Sequence, residues 1–233
     1  MITRLYPSPG PVDLTQAYAH PAGASPDPAR TVRANMVATV DGAVTAADGR
    51  SAAISSSADR ALFATLRRLA DVVLVGAGTA RTEGYRPASL PIALVTARLD
   101  LDLGSPLLAT AEHRTIVLSA ASAGQDRLRA AARVADVVVC GDQQVDLAAA
   151  VAALTERGLQ HVLCEGGPTL LGGLVAAGLL DELCLTVSPL LLGGGGLTRI
   201  LAGPVLPASV QLEPAHVLES GGTLFTRYLV HRG

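Results

Sequence analysis
The sequence predicts an α/β fold with a mostly parallel central sheet and an antiparallel C-terminal edge. Three observations predict it. Short apolar runs recur at 33–40, 71–76, 91–96, 114–119, 136–141 and 161–166 of the 233-residue chain. Several are unbroken Val, Leu and Ile, the pattern of strands covered on both faces. Helical patterns fill most of the gaps, so strand and helix alternate as in βαβ units. Near the end, two runs at 182–192 and 223–230 follow each other without a full helix between them. That change of rhythm predicts the antiparallel edge.

Each element has local support. Residues 1–30 are rich in Pro, Ala and Gly without a period and read as an N-terminal arm or lead-in loop. The domain proper then runs from 31 to 233. Residues 58–70 place Leu62, Leu66 and Leu69 on one helical face, with Ser57 or Ala58 at the start. Further helices are expected at 121–135, 146–157 and 168–177. The last has Pro168 at its first position and Gly178 just past its end. Gly193–Gly196 reads as a flexible turn.

Composition narrows the functions. Charged residues make up 16% and hydrophobic ones 49%, against about 25% charged in ordinary soluble domains. The surplus apolar surface predicts a subunit interface. A net charge of −2 gives no bulk attraction for nucleic acid or anionic membrane. All 18 basic residues are Arg, which excludes Schiff-base and Walker lysines. Cys140, Cys164 and Cys184 form no CxxC, and no metal site is expected. The start lacks an apolar signal core, and Asp181-Glu182 with several glycines interrupts the most apolar stretch. A cytoplasmic protein is expected.

Two glycine-bearing strand exits could hold a ligand. Gly76-Ala77-Gly78-Thr79 follows the run at 71–76. Glycine there lets the backbone approach a diphosphate, yet Arg81 stands where a Rossmann fingerprint has its third glycine. A tight strand exit explains the segment about as well. Glu165-Gly166-Gly167-Pro168-Thr169 joins a strand to a helix start. It offers two glycines, a hydroxyl and a carboxylate at the strand's C-terminal end, where α/β sheets bind ligands. Asp41-Gly42 alone would be a plain turn, and Ser51 with Ser55–Ser57 a helix cap. Thr82 to Arg86 reads as an exposed loop.

Taken together, the segments 35–42, 51–56, 66–79, 165–171 and 188–194 resemble the reductase domain of the bacterial riboflavin biosynthesis protein RibD. They match in order and spacing over roughly residues 31–230. The resemblance implies a dihydrofolate-reductase-like three-layer fold, a homodimer and NADPH as cofactor. It implies reduction of 5-amino-6-(5-phosphoribosylamino)uracil to the ribitylamino product, by hydride transfer to C1′ of the open imine. The zinc deaminase signature that often precedes this domain is absent, so a stand-alone reductase is expected.

The resemblance places Asp41, Ser55, Gly76, Thr79, Gly166, Gly167, Thr169 and Leu170 at the cofactor, with Thr96 and Arg98 toward its adenosine end. Arg98 would pair with the 2′-phosphate. Ser51 and Arg67 fall where the ribose phosphate is held, with Arg86 as the nearest substitute for a displaced phosphate arginine. Glu83 and Glu165 are the candidate proton carriers, and Asn35 would orient the ribose hydroxyls or the base. Asn35 stands where many bacterial members have Lys, and Thr82-Glu83-Gly84-Tyr85 replaces their acidic pair and proline. Those features resemble an actinobacterial subgroup that accepts other substrates. A dihydrofolate or pterin reductase and a non-catalytic nucleotide-binding paralogue are therefore the alternatives.

Overall fold
The computed structural model describes residues 2–20, 30–194, 198–203 and 205–231. Among the described residues there are eleven strands: β1 (Thr3–Tyr6), β2 (Gly10–Pro11), β3 (Thr31–Thr39), β4 (Val72–Gly76), β5 (Ile92–Val95), β6 (Ile116–Ser119), β7 (Asp136–Val139), β8 (His161–Cys164), β9 (Glu182–Ser188), β10 (Leu212–Ser220) and β11 (Thr223–Val230). The helices are α1 (Leu14–Tyr18), α2 (Ser57–Arg68), α3 (Ala77–Glu83), α4 (Pro106–Ala109), α5 (Gln125–Ala132), α6 (Leu147–Thr155) and α7 (Pro168–Ala176).

All strands join one sheet, in the order β2-β1-β10-β11-β9-β3-β8-β4-β5-β6-β7. From β9 to β7 the pairing is parallel, and from β9 back to β2 it is antiparallel. The expected architecture is therefore present. The central strands are buried on both faces. Val72 and Leu74 of β4 pack with Val151 and Leu154 of α6 and Leu171 and Leu174 of α7. Val73 and Val75 point the other way, toward Ala80, Leu107 and Leu128 of α3, α4 and α5.

Several expected boundaries move for identifiable reasons. The helix expected at 121–135 is split by Gly124, leaving a single turn at Ala121–Ala123 and then α5. The strand expected at 182–192 stops at Ser188, because Pro189 cannot donate to the ladder. Of the expected Gly193–Gly196 turn, Gly195 and Gly196 lie outside the described residues. Strand β10 was not expected. It turns into β11 through Gly221 and Gly222, both at positive φ (60° and 82°), a two-residue hairpin loop.

The expected N-terminal arm is, over residues 2–20, part of the domain. β1 pairs with β10. Asp13 caps α1 by accepting from the Gln16 N–H at 2.9 Å. Tyr18 is fully buried against Leu62, Leu66 and Phe225. Arg227 donates to the carbonyls of Ala17 and Ala19 at 2.7 and 3.2 Å, stapling this segment to β11. Residues 21–29 of the expected arm lie outside the described residues.

Candidate active site
The sheet order creates the site. β8 inserts between β3 and β4, in register Val32↔Val162 and Leu74↔Cys164. The C-terminal ends of β4 and β8 are therefore neighbours, and the chain reverses direction around them. Such a switch point opens a crevice outside the strand ends. Both glycine-bearing bends lie there. The Gly76 N–H donates to the Gly166 carbonyl at 2.8 Å.

Two glycines are required by this meeting. Gly166 has φ 84°, and a Cβ there would come within 3.1 Å of the Met36 sulfur. A Cβ on Gly167 would collide with the Thr79 hydroxyl oxygen. The two exits thus form one cradle with no room for a side chain at Gly167 and little at Gly166. Thr79 and Gly167 line the adjoining cavity of about 710 Å³. So do Asn35, Ser51, Ser55, Glu83, Glu165, Arg67 and Arg86. The cradle's bare backbone fits the diphosphate of a dinucleotide.

Glu165 sits at 8% exposure and is fully engaged. Its Oε1 accepts from Arg67 Nε at 2.7 Å and its Oε2 from Arg67 Nη2 at 2.8 Å. The Tyr85 hydroxyl donates to the same Oε2 at 2.5 Å. The Arg67 guanidinium lies over the Phe63 ring at 4.4 Å and near Tyr85 at 5.5 Å. Burial would lower the Arg67 pKa, but the bonds to Glu165 outweigh it and raise it. Burial, then the Glu165 charge, push Tyr85 well above its usual value, so it stays a neutral donor.

This arrangement changes two expectations. Arg67 was expected on a substrate phosphate, yet its fork is committed to Glu165. Glu165 was expected as a proton carrier, yet both its oxygens already accept charged or phenolic hydrogen bonds. It is held in place between Arg67 and Tyr85. Glu83 is less constrained: its Oε1 accepts the Ser51 N–H at 2.9 Å. Ser51 is thereby anchored through its backbone. The segment 82–86 is not an exposed loop throughout. Thr82 and Glu83 end α3, and Gly84 in the left-handed region (φ 70°) turns Tyr85 inward.

Asn35 lies on β3 with its Oδ1 buried and, among the described residues, without a hydrogen-bond donor. The Ser55 hydroxyl, expected at the cofactor, donates instead to Asp59 at 2.6 Å. Asp41, also expected at the cofactor, accepts from the Thr39 hydroxyl and from the N–H groups of Leu192 and Gly193 at 2.9 and 2.7 Å. It ties two loops together. Leu170 buries its side chain in the core, so only its backbone can face the cradle. Thr169 is exposed in the first turn of α7.

Thr96 accepts from the Leu99 N–H at 3.1 Å, and Arg98 is exposed, its carbonyl bonded by Arg127 at 3.0 Å. Gly76, Gly166, Thr96, Arg98, Asp41, Thr169 and Leu170 do not line the cavity. Sequence reasoning missed Tyr85, Asp59 and Phe63. The last two were legible: Asp59, Phe63 and Arg67 recur every fourth residue, a polar-aromatic stripe beside the Leu62/Leu66 core face of α2.

Residues 30–225 match the RibD C-terminal domain family. The chain belongs to that family. A RibD C-terminal domain over most of a 233-residue chain is also what its relatives suggest. It is 25% identical over 212 residues to a 2,5-diamino-6-ribosylamino-4(3H)-pyrimidinone 5′-phosphate reductase of Archaeoglobus fulgidus, covering 83% of this chain and 96% of that one. It is 35% identical over 159 residues to the riboflavin biosynthesis protein RibD of Mycobacterium tuberculosis, covering 67% of this chain and 41% of that one. Among solved structures it is similar to a pyrimidine reductase-like protein of Corynebacterium diphtheriae, with a TM-score of 0.82 and 26% identity over 95% of this chain and all of that one.

Proposed function
We propose that the chain is an NADPH-dependent reductase of a phosphoribosylamino-pyrimidine in riboflavin biosynthesis. The observation that carries this reading is the convergence of the 76–79 and 165–167 bends into a glycine-bearing cradle beside a cavity lined by three acids, Asp59, Glu83 and Glu165. The relatives' names support the reaction class. Gly76, Thr79, Gly167 and the first-turn backbone of α7 would hold the cofactor, with Arg98 toward the 2′-phosphate. When bound, a reduced nicotinamide supplies the hydride.

The chain's own residues do the rest. The open-chain imine carbon gains the hydride, and its nitrogen gains one proton to become an amine. Glu83 delivers that proton. Its carboxylate lines the cavity and accepts the Ser51 N–H. Glu165, fixed by Arg67 and Tyr85, stabilises positive charge on the acceptor. Asn35 offers Oδ1 to a hydroxyl or amino group. Arg86, exposed at the cavity rim, meets the phosphate.

The same reading makes the chain a cytoplasmic homodimer, with exposed Leu191 and Val205 as apolar surface to cover. Light scattering tests that part. The activity is tested by following NADPH oxidation at 340 nm with the phosphoribosylamino-pyrimidine as acceptor. Turnover lost in Glu83→Gln supports the reading, and an unchanged rate in that variant removes Glu83 from it.

A further inference from the structure
We infer that Arg127 of α5 is a cofactor-selecting residue. It fixes the turn after β5 that carries Arg98 and adds a second cation there, so that preference for a 2′-phosphate over a 2′-hydroxyl depends on it. The inference rests on the reductase reading above and deepens it. The sheet order sets the place. The cradle lies on the ends of β4 and β8, and the cavity beside it reaches Asn35 of β3. A nicotinamide in that cavity sends the other half of the dinucleotide the opposite way, over the ends of β5 and β6. Those strands follow β4 in the sheet at successive spacings of about 4.8 Å.

The turn at the end of β5 is held in an unusual shape. Leu99 has φ 51°, and among the described residues it is the one non-glycine in the left-handed region. A bulky residue there is strained and persists only where its surroundings over-determine it. The Leu99 N–H donates to the Thr96 hydroxyl at 3.1 Å, and the Ser119 hydroxyl of β6 donates to the Thr96 carbonyl at 2.8 Å. The Leu99 side chain, 8% exposed, is buried in one cluster with Leu128 of α5. Two arginines grip the same turn from neighbouring helices. Arg127 Nη1 donates to the Arg98 carbonyl at 3.0 Å, and Arg81 Nη1 of α3 donates to the Asp100 carbonyl at 3.3 Å.

Charge explains why α5 reaches so far. Ordering a long, exposed arginine for one exposed carbonyl costs side-chain entropy that a single bond barely offsets. Arg98 and Arg127 are both exposed, and among the described residues neither forms a salt bridge. Their neighbours do: Arg81 has Asp100 at 3.5 Å, and Arg129 of α5 has Asp126 at 2.7 Å. Two unpaired guanidinium groups collected at one turn leave a positive field that a dianion answers. A phosphomonoester has that charge and enough oxygens for two forks, and a ribose hydroxyl has neither. The strained turn keeps Arg98 beside Arg127 before any ligand arrives, so the pair binds without reorganising.

The test titrates the full chain with 2′-phospho-ADP-ribose and with ADP-ribose, which lack the nicotinamide and differ only in the 2′-phosphate. By calorimetry the parent is expected to bind the phosphorylated form at least about 100-fold more tightly. In Arg127→Ala that ratio is expected to fall about tenfold through loss on the phosphorylated form alone. Arg129→Ala removes an equal charge from the same helix and is expected to leave the ratio unchanged. Equal binding of both nucleotides by the parent, or binding of neither, overturns the inference. So does an unchanged ratio in Arg127→Ala, an equal loss on both nucleotides there, or an equal fall in Arg129→Ala. The parent comparison needs no variant to fold. Turnover separates the two readings, with NADPH and NADH compared as donors to the phosphoribosylamino-pyrimidine. A parent preference for NADPH that drops in Arg127→Ala through KM at constant kcat supports Arg127. Turnover without preference overturns the inference and leaves the reductase reading standing. Absence of oxidation of either donor defeats the reductase reading, while the ratio of the two ADP-riboses still decides Arg127.

Discussion

Glu165 and Glu182 are both buried carboxylates gripped by arginines, in two regions of one sheet. Glu182, at the start of β9, accepts from Arg33 Nε at 2.7 Å and from Arg227 Nη2 at 2.9 Å. All three side chains lie between 2% and 8% exposed. Burial alone would raise the Glu182 pKa, but Arg33 and Arg227 hold it below the usual carboxylate range. Around Glu165 one arginine and one phenol do the gripping, Arg67 is 24% exposed, and a cavity lies alongside. The chemistry of the two grips is nearly the same. Access differs: one is 2% exposed and joins β3, β9 and β11, and the other borders the cavity. A buried ion pair therefore says little about role until its surroundings are known.

The comparison is broken most strongly at Glu182. Glu182→Gln leaves two buried guanidinium groups without their counter-charge. It is expected to cost about 3–5 kcal/mol of stability, read as a fall in Tm of roughly 10 °C. Glu165→Gln is expected to reverse the pattern. Turnover should fall about 100-fold, while Tm moves by only about 2–4 °C because Arg67 can rehydrate. If Glu165→Gln instead melts the protein and spares turnover, the two grips have the same role.

The parallel centre of this contrast was legible in the sequence, because β4, β5, β6 and β8 are continuous apolar runs between turn residues. The edge was not. β1 has four residues, α1 five, and β10 carries Pro214 at a register shift, so none shows a period. Only the Gly221-Gly222 pair marked the hairpin. At the site, glycine spacing identified the two bends, and their meeting required the insertion of β8 beside β4, which no local pattern encodes. Tyr85 was hidden for a like reason. A tyrosine after Glu83-Gly84 looks exposed until the left-handed Gly84 is seen to turn it onto Glu165, eighty residues along.

Tyr85 gives a finer test. Tyr85→Phe removes one hydrogen bond to Glu165 and leaves the ring beside Arg67. Turnover is expected to fall about tenfold, with stability changed by about 1 kcal/mol or less. A kcat effect at constant KM would mark it as a positioning residue, and a change in both would place it against the substrate.

The Glu182 region also predicts a modest acid sensitivity. Burial, followed by neighbouring arginines, lowers both His20 and His216 from 6.5 to about 4. The unfolded chain thus takes up these protons more readily than the folded one between those values. Stability is complete above about 6.5 and declines as pH falls toward 4. Glu182, with its lowered pKa, acts in the same direction at lower pH. Melting curves at pH 7 and pH 5 should show the decline, and His216→Asn should flatten it.

The most direct test of the whole account is a titration of NADPH into the parent chain and into Gly167→Ala, followed by nicotinamide fluorescence. The added Cβ collides with Thr79 in the cradle. Saturable binding by the parent, weakened about 100-fold in a variant that still shows a cooperative melt, is the predicted result. No binding by the parent, or equal binding by both proteins, would contradict it.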